Sequence, residues 1–189
     1  MQLLSCRLNR STTNRRVLIT AALLICSTPA VGEVVETAEH GFALKQTYQI
    51  SAAPSTVYRT LVDIAGWWSS DHTFSGDSNN LSMTAEPGGL FQEKLPDGGF
   101  VQHMQVIHVR PNRMLRLSGA LGPLQEHGVN GVLTVTLEEK GAGTELVVTY
   151  NVGGFVPSGL ANWAMPVDHV LGEQFGRLKE RAEEAVAER

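Results

Sequence analysis

Cysteine is almost missing from this chain: among 189 residues there are only Cys6 and Cys26, both near the N-terminus. Beyond Cys26 no disulfide, thiol nucleophile or thiolate metal site can form. Basic residues are also in short supply, 15 against 19 acidic, and Arg7, Arg10, Arg15 and Arg16 lie at the very start. Downstream of these, 11 basic residues face 19 acidic ones, a formal charge of −8. An acidic chain without a basic patch is a poor ligand for phosphate backbones, so no nucleic-acid partner is expected. Long apolar runs are missing as well. "VLITAALLIC" (Val17 to Cys26) is too short to span a bilayer.

That short run has a different meaning. Four arginines precede it, and "STPAVG" follows it with small residues Ala30 and Gly32 at cleavage-compatible positions. This three-part pattern predicts a cleavable secretory signal over residues 1–32 and one domain over 33–189, exported to the periplasm or the medium. The mature chain is expected to begin near Val31 or Glu33 and to keep no stable membrane anchor. Ile25 before Cys26 argues against lipid attachment, and "NRRVLIT" (Asn14 to Thr20) leaves both general secretion and a twin-arginine route open.

The mature chain has neither repeats nor low-complexity linkers. "FALKQTYQIS" (Phe42 to Ser51) alternates apolar and polar residues as a half-buried strand does. Pro54 suits the first turn of a helix carrying Val57, Leu61 and Ile64, which Gly66 ends. From Leu81 to Val152, strands alternate with turns at "EPGG", "PDGG", "RPNR" and "KGAG", the mark of an antiparallel meander. Val167, Leu171, Phe175, Leu178, Ala182 and Val186 then form the apolar stripe of a long helix, with Pro166 at its start or at a kink. Its charged side has Lys179 and Glu183 spaced to pair. Strand, helix, six strands and helix make an α+β fold, a curved sheet gripping a helix.

The ordered motifs "GWW", "EPGGLFQEKLPDGG", "VIHVRPNRMLRLSG" and "GAGTELVVTY", followed by the long helix, resemble the START-like superfamily, also called SRPBCC or helix-grip proteins. The likeness extends over residues 42–187 and is strongest to the bacterial branch related to the activator of heat-shock-protein-90 ATPase. The resemblance implies about seven antiparallel strands wrapped around the last helix, with a short helix after the first strand, enclosing a cavity for lipophilic ligands. Fold alone does not assign a function.

Trp67 and Trp68 raise a separate question, because neighbouring side chains on a regular helix or strand diverge and cannot share one core direction. At the mouth between sheet and last helix, one ring could close the core while the other lines a cavity. Strand parity puts Glu93 on the side of Phe91 and Leu95, where apolar surroundings would raise its pKa. The same parity aligns His103 with Val101, Ile107 and Val109, and Tyr150 with Leu146 and Val148. The candidate ligand-binding residues are Trp67, Trp68, Phe91, Glu93, His103, Met104, Tyr150, Met165, Leu171 and Phe175, and the segments Gly119–Gly128 and Gly153–Gly159 are candidate rims.

Three roles fit: an exported binder of a lipophilic small molecule, a polyketide cyclase or dehydrase-like enzyme using Glu93, His103 and Tyr150, or a chaperone-cofactor or interaction module. The signal argues against the third, since it directs the chain away from a cytosolic chaperone. No cofactor is expected, because the glycines of "KGAGTE" precede a strand rather than a helix. No metal is expected either: His103 and His108 face opposite sides of one strand and the other histidines are scattered. No G-x-S-x-G elbow occurs for a serine nucleophile. No oligomeric state is implied.

Overall fold

A computed structural model describes residues 31–188. The expected export signal, apart from its last residues, lies outside the described residues. Eight strands form one antiparallel sheet: β1 Val31–Ala38, β2 Gly41–Ile50, β3 Leu81–Met83, β4 Leu90–Lys94, β5 Phe100–Arg110, β6 Met114–Ser118, β7 Gly128–Lys140 and β8 Gly143–Phe155. Helix α1 (Pro54–Val62) follows β2, and helix α2 (Ala164–Ala187) closes the described chain.

The strand order β1-β2-β8-β7-β6-β5-β4-β3 follows from the turns. Strands β3 to β8 each pair with the next, a meander in which Gly141 at φ 61° makes the tight β7–β8 connection. The segment containing α1 carries the chain from β2 across to β3 at the opposite edge. The sheet has one strand more than the resemblance implied. This is β1, which forms a hairpin with β2 in front of the first strand legible in the sequence. Its "VGEVVETA" lacks a clean alternation, and residues 33–38 are largely exposed, so periodicity does not reveal it.

The long helix lies across the curved sheet with Leu171, Gln174, Phe175, Leu178 and Ala182 buried, while Val186 is exposed near its end. Pro166 sits in the first turn, where its missing N–H removes no intrahelical bond. Gln46 of β2 fastens the helix at this end: its Nε2 donates to the Asp168 carbonyl at 2.8 Å and to Asp168 Oδ1 at 2.7 Å, and its Oε1 accepts from the Tyr48 hydroxyl at 2.7 Å. At the other end Glu183 accepts the Ser51 N–H at 2.9 Å rather than pairing with Lys179. Helix and sheet are thus clamped at both ends, and a groove between them lies beside the start of α2.

Candidate functional site

The two tryptophans can both turn inward because the chain abandons regular structure just before them. Helix α1 stops at Val62, Asp63 leaves helical geometry (φ −83°, ψ 62°), and a single 3-10 turn over Ile64–Gly66 leads to Trp67 at φ −138°, ψ −21°. Neither helical nor strand divergence governs that backbone, and both rings are buried with centroids 5.5 Å apart at 59°. Trp67 packs on Phe175 of α2 at 5.6 Å, and its carbonyl accepts from Arg177 Nε at 2.9 Å. Trp68 turns the other way, edge-on to Phe91 at 5.4 Å, with its Nε1 donating to the His72 carbonyl at 3.0 Å. One ring completes the core and the other faces open space.

A β-bulge supplies the polar part of the site. Along β4 and β5 Phe91 is opposite Met104 but Gln92 is opposite Gln102, so His103 is the unpaired extra residue. The bulge turns His103 and Met104 inward together, and both are buried. Simple parity therefore fails here: Ile107, expected beside His103, is exposed, and it falls at a second irregularity between β5 and β6. The His103 ring is flanked by Phe91 at 4.6 Å and Phe74 at 6.0 Å, each tilted by 31°.

Glu93, wholly buried, is the partner of that imidazole. His103 Nε2 lies 3.1 Å from Glu93 Oε2, which also accepts the Phe74 N–H at 3.1 Å, while the Ser75 N–H donates to Oε1 at 2.5 Å. Burial would raise this carboxyl's pKa, but donors from Ser75, Phe74 and His103 outweigh it and hold the pKa below the ordinary value. This reverses the rise expected from apolar surroundings. Desolvation likewise lowers the His103 pKa, against the opposing pull of Glu93. Both shifts favour a carboxylate beside a neutral imidazole, and in that state Nε2 carries the proton toward Glu93 and Nδ1 is left as an acceptor.

A groove of about 420 Å³ opens over this pair. Trp68 and His103 form its floor. Asp71 to Phe74 make one wall, Leu121 to Pro123 another, and Trp163, Pro166, Val167, Val170 and Leu171 the third. The lining is mostly apolar, and among the described residues it includes no lysine or arginine. At the rim His72 Nε2 meets Glu173 Oε2 at 3.1 Å. The Phe74–Ser75 amides that hold Glu93 thus belong to the segment that forms the first wall.

Among the residues singled out from the sequence, Trp68, His103 and Leu171 line the groove. Glu93 stands behind His103, and Trp67, Phe91, Met104 and Phe175 are buried in the surrounding core. Tyr150 is elsewhere: its hydroxyl donates to the Gly119 carbonyl at 3.2 Å and accepts from the Leu121 N–H at 3.3 Å, and burial raises its pKa to about 12. Met165 is exposed and outside the lining. Of the two candidate rims, Gly119–Gly128 supplies Leu121, Gly122 and Pro123, whereas Gly153–Gly159 contributes no lining residue. Phe74, Trp163 and Val170 also line the groove without having been singled out in the sequence, and Val167, expected only as part of the apolar stripe of α2, lines it too. Phe74 carried a usable signal, a large aromatic in the polar stretch "SSDHTFSGDSNN".

A curved antiparallel sheet gripping a C-terminal helix, with an apolar groove between them, defines a START-like helix-grip protein. More narrowly, the chain belongs to the Activator of Hsp90 ATPase homolog 1-like family, whose model matches residues 51–183. Its fold is similar to that of a protein of Rhizobium leguminosarum (TM-score 0.58, 18% identity, covering 83% of this chain and 99% of that one). A Mesorhizobium loti protein is comparable (TM-score 0.55, 20% identity, 75% and 97% covered). The di-domain ARO/CYC protein BexL of the BE-7585A biosynthetic pathway shares the fold over half its length (TM-score 0.53, 16% identity, 78% and 50% covered). No curated protein matches the chain.

Proposed function

We propose that this protein is exported and binds a lipophilic small molecule in the groove between its sheet and α2. The observation that carries the reading is the groove itself: about 420 Å³, walled largely by Phe74, Trp163 and aliphatic side chains, with Trp68 and the Glu93-backed imidazole of His103 at its floor. Binding sites for small molecules have this size and make-up, a mostly apolar lining with a few placed polar groups. The likeness to ARO/CYC proteins agrees with a ligand of that kind. Export rests on the arginine-led apolar segment before Ala30 and separates the protein from any cytosolic chaperone.

A catalytic reading has one observation in its favour, the Glu93–His103 pair, which could accept a proton at Nδ1. It would have to work without Tyr150, whose hydroxyl is committed to the Gly119–Leu121 backbone. Titration with N-phenyl-1-naphthylamine, a neutral fluorophore that brightens in apolar surroundings, tests the binding reading. The wild-type chain is expected to saturate at one probe per chain. Val167→Trp, which fills the groove from a half-buried position on α2, is expected to abolish the signal with little change in Tm. Equal probe binding by both proteins would contradict the site.

A further inference from the structure

We infer that the groove selects uncharged ligands carrying a hydroxyl, which donates its hydrogen bond to Nδ1 of His103, and discriminates against carboxylates. This inference rests on the ligand-binding reading and gives it a chemical class. Nδ1 has no hydrogen-bond partner among the described residues and, unlike the sealed Trp67 Nε1 and Gln174 Nε2, is not fully buried, on a ring that lines the groove. Glu93 fixes the tautomer from behind: an ionised carboxylate held by two backbone amides can only accept, so the Nε2 it touches must carry the proton. With the ring neutral, as its desolvation among Phe91, Phe74 and Trp68 favours, Nδ1 is an acceptor in apolar surroundings, where a hydroxyl would satisfy it and a bare hydrocarbon would leave it unpaired.

The charges around the groove point the same way. Asp71 and His72 come from the first wall, Glu173 from α2 meets His72 at the rim, and Glu93 from β4 lies behind His103 from β5. The wall at Leu121–Pro123 brings no charge, and among the described residues no lysine or arginine lines the space. A carboxylate entering would meet only acidic groups and imidazoles and would lose its hydration without gaining a cation. The flat imidazole between Phe91 and Phe74, with Trp68 and Trp163 nearby, further suits a hydroxyl attached to a ring.

Calorimetric titration of the wild-type protein near neutral pH with 2-naphthol, naphthalene and 2-naphthoate separates the possibilities. The expected order is 2-naphthol tighter than naphthalene by about tenfold, the contribution of one hydrogen bond, with 2-naphthoate weaker than 2-naphthol by at least about the same factor. In His103→Phe the advantage of naphthol over naphthalene should vanish while naphthalene still binds. Equal affinity for naphthol and naphthalene, or naphthoate binding as tightly as naphthol, would overturn the inference and leave the groove as a binding site. No binding of any of the three would overturn the site and the inference together. If His103→Phe does not fold, the wild-type ratios decide.

Discussion

At the scale of single residues, Glu93 is the most consequential side chain. A buried carboxylate is tolerated because two amides and an imidazole replace its water, and removing it leaves those donors unpaired. Glu93→Gln is expected to cost about 1–3 kcal/mol in urea denaturation, since an amide offers a donor where the site needs acceptors. Acid should destabilise the protein in two stages. The His103 pKa is lower folded than its ordinary 6.5, so its contribution is complete above that value and is lost as pH falls below it. The Glu93 pKa is lower than its ordinary 4.5, and its contribution disappears in turn below that value. Tm measured against pH should therefore decline from about pH 6.5 downward, and His103→Phe should flatten the upper part of that decline. Tyr150→Phe is expected to cost about 1 kcal/mol for its lost hydrogen bonds while leaving probe affinity unchanged, because the hydroxyl serves the Gly119–Leu121 backbone and not the groove. A tighter dependence of binding on Tyr150 would restore it to the site.

At the scale of elements, most of the fold is legible and most of the site is not, for one reason. Period-two alternation finds β2, turn signals mark the meander that holds β4 to β8, and the stripe from Val167 to Ala182 finds α2, because these elements are regular. The functional geometry sits where regularity breaks. The bulge at His103 puts two adjacent side chains inside, and the break at Asp63 turns Trp67 and Trp68 to opposite sides of one cluster. No glycine or proline announces the bulge at His103, and Gly66, which the sequence reads as the helix end, lies three residues past the actual break at Asp63. Close approach makes its own demand at Gly131 of β7: a Cβ there would lie 2.4 Å from the Tyr150 ring. Gly131→Ala is expected to lower stability by about 1–3 kcal/mol, as overpacking of a closed core does, measured by denaturant titration. Strand β1 covers the edge of β2, so deleting residues 31–38 should lower Tm and promote association through the bared β2 edge, visible by gel filtration.

At the scale of the whole molecule, one architecture unites the clamp, the groove and the charge. Gln46 with Asp168 and Ser51 with Glu183 hold α2 on the sheet at two points, leaving the space beside Trp68 and His103 as a groove rather than a closed core. If export cleaves the chain near Val31, the hairpin of β1 with β2 survives whole, whereas a start at Glu33 removes its first pairs, so the N-terminus of the native protein bears directly on that edge. The most direct test of the account is native mass spectrometry of the protein purified from the cells that make it, before and after solvent extraction and again with excess N-phenyl-1-naphthylamine. The account predicts one neutral lipophilic adduct per chain, removed by extraction and replaceable by the probe. A chain that carries nothing as isolated and takes up no probe would contradict it.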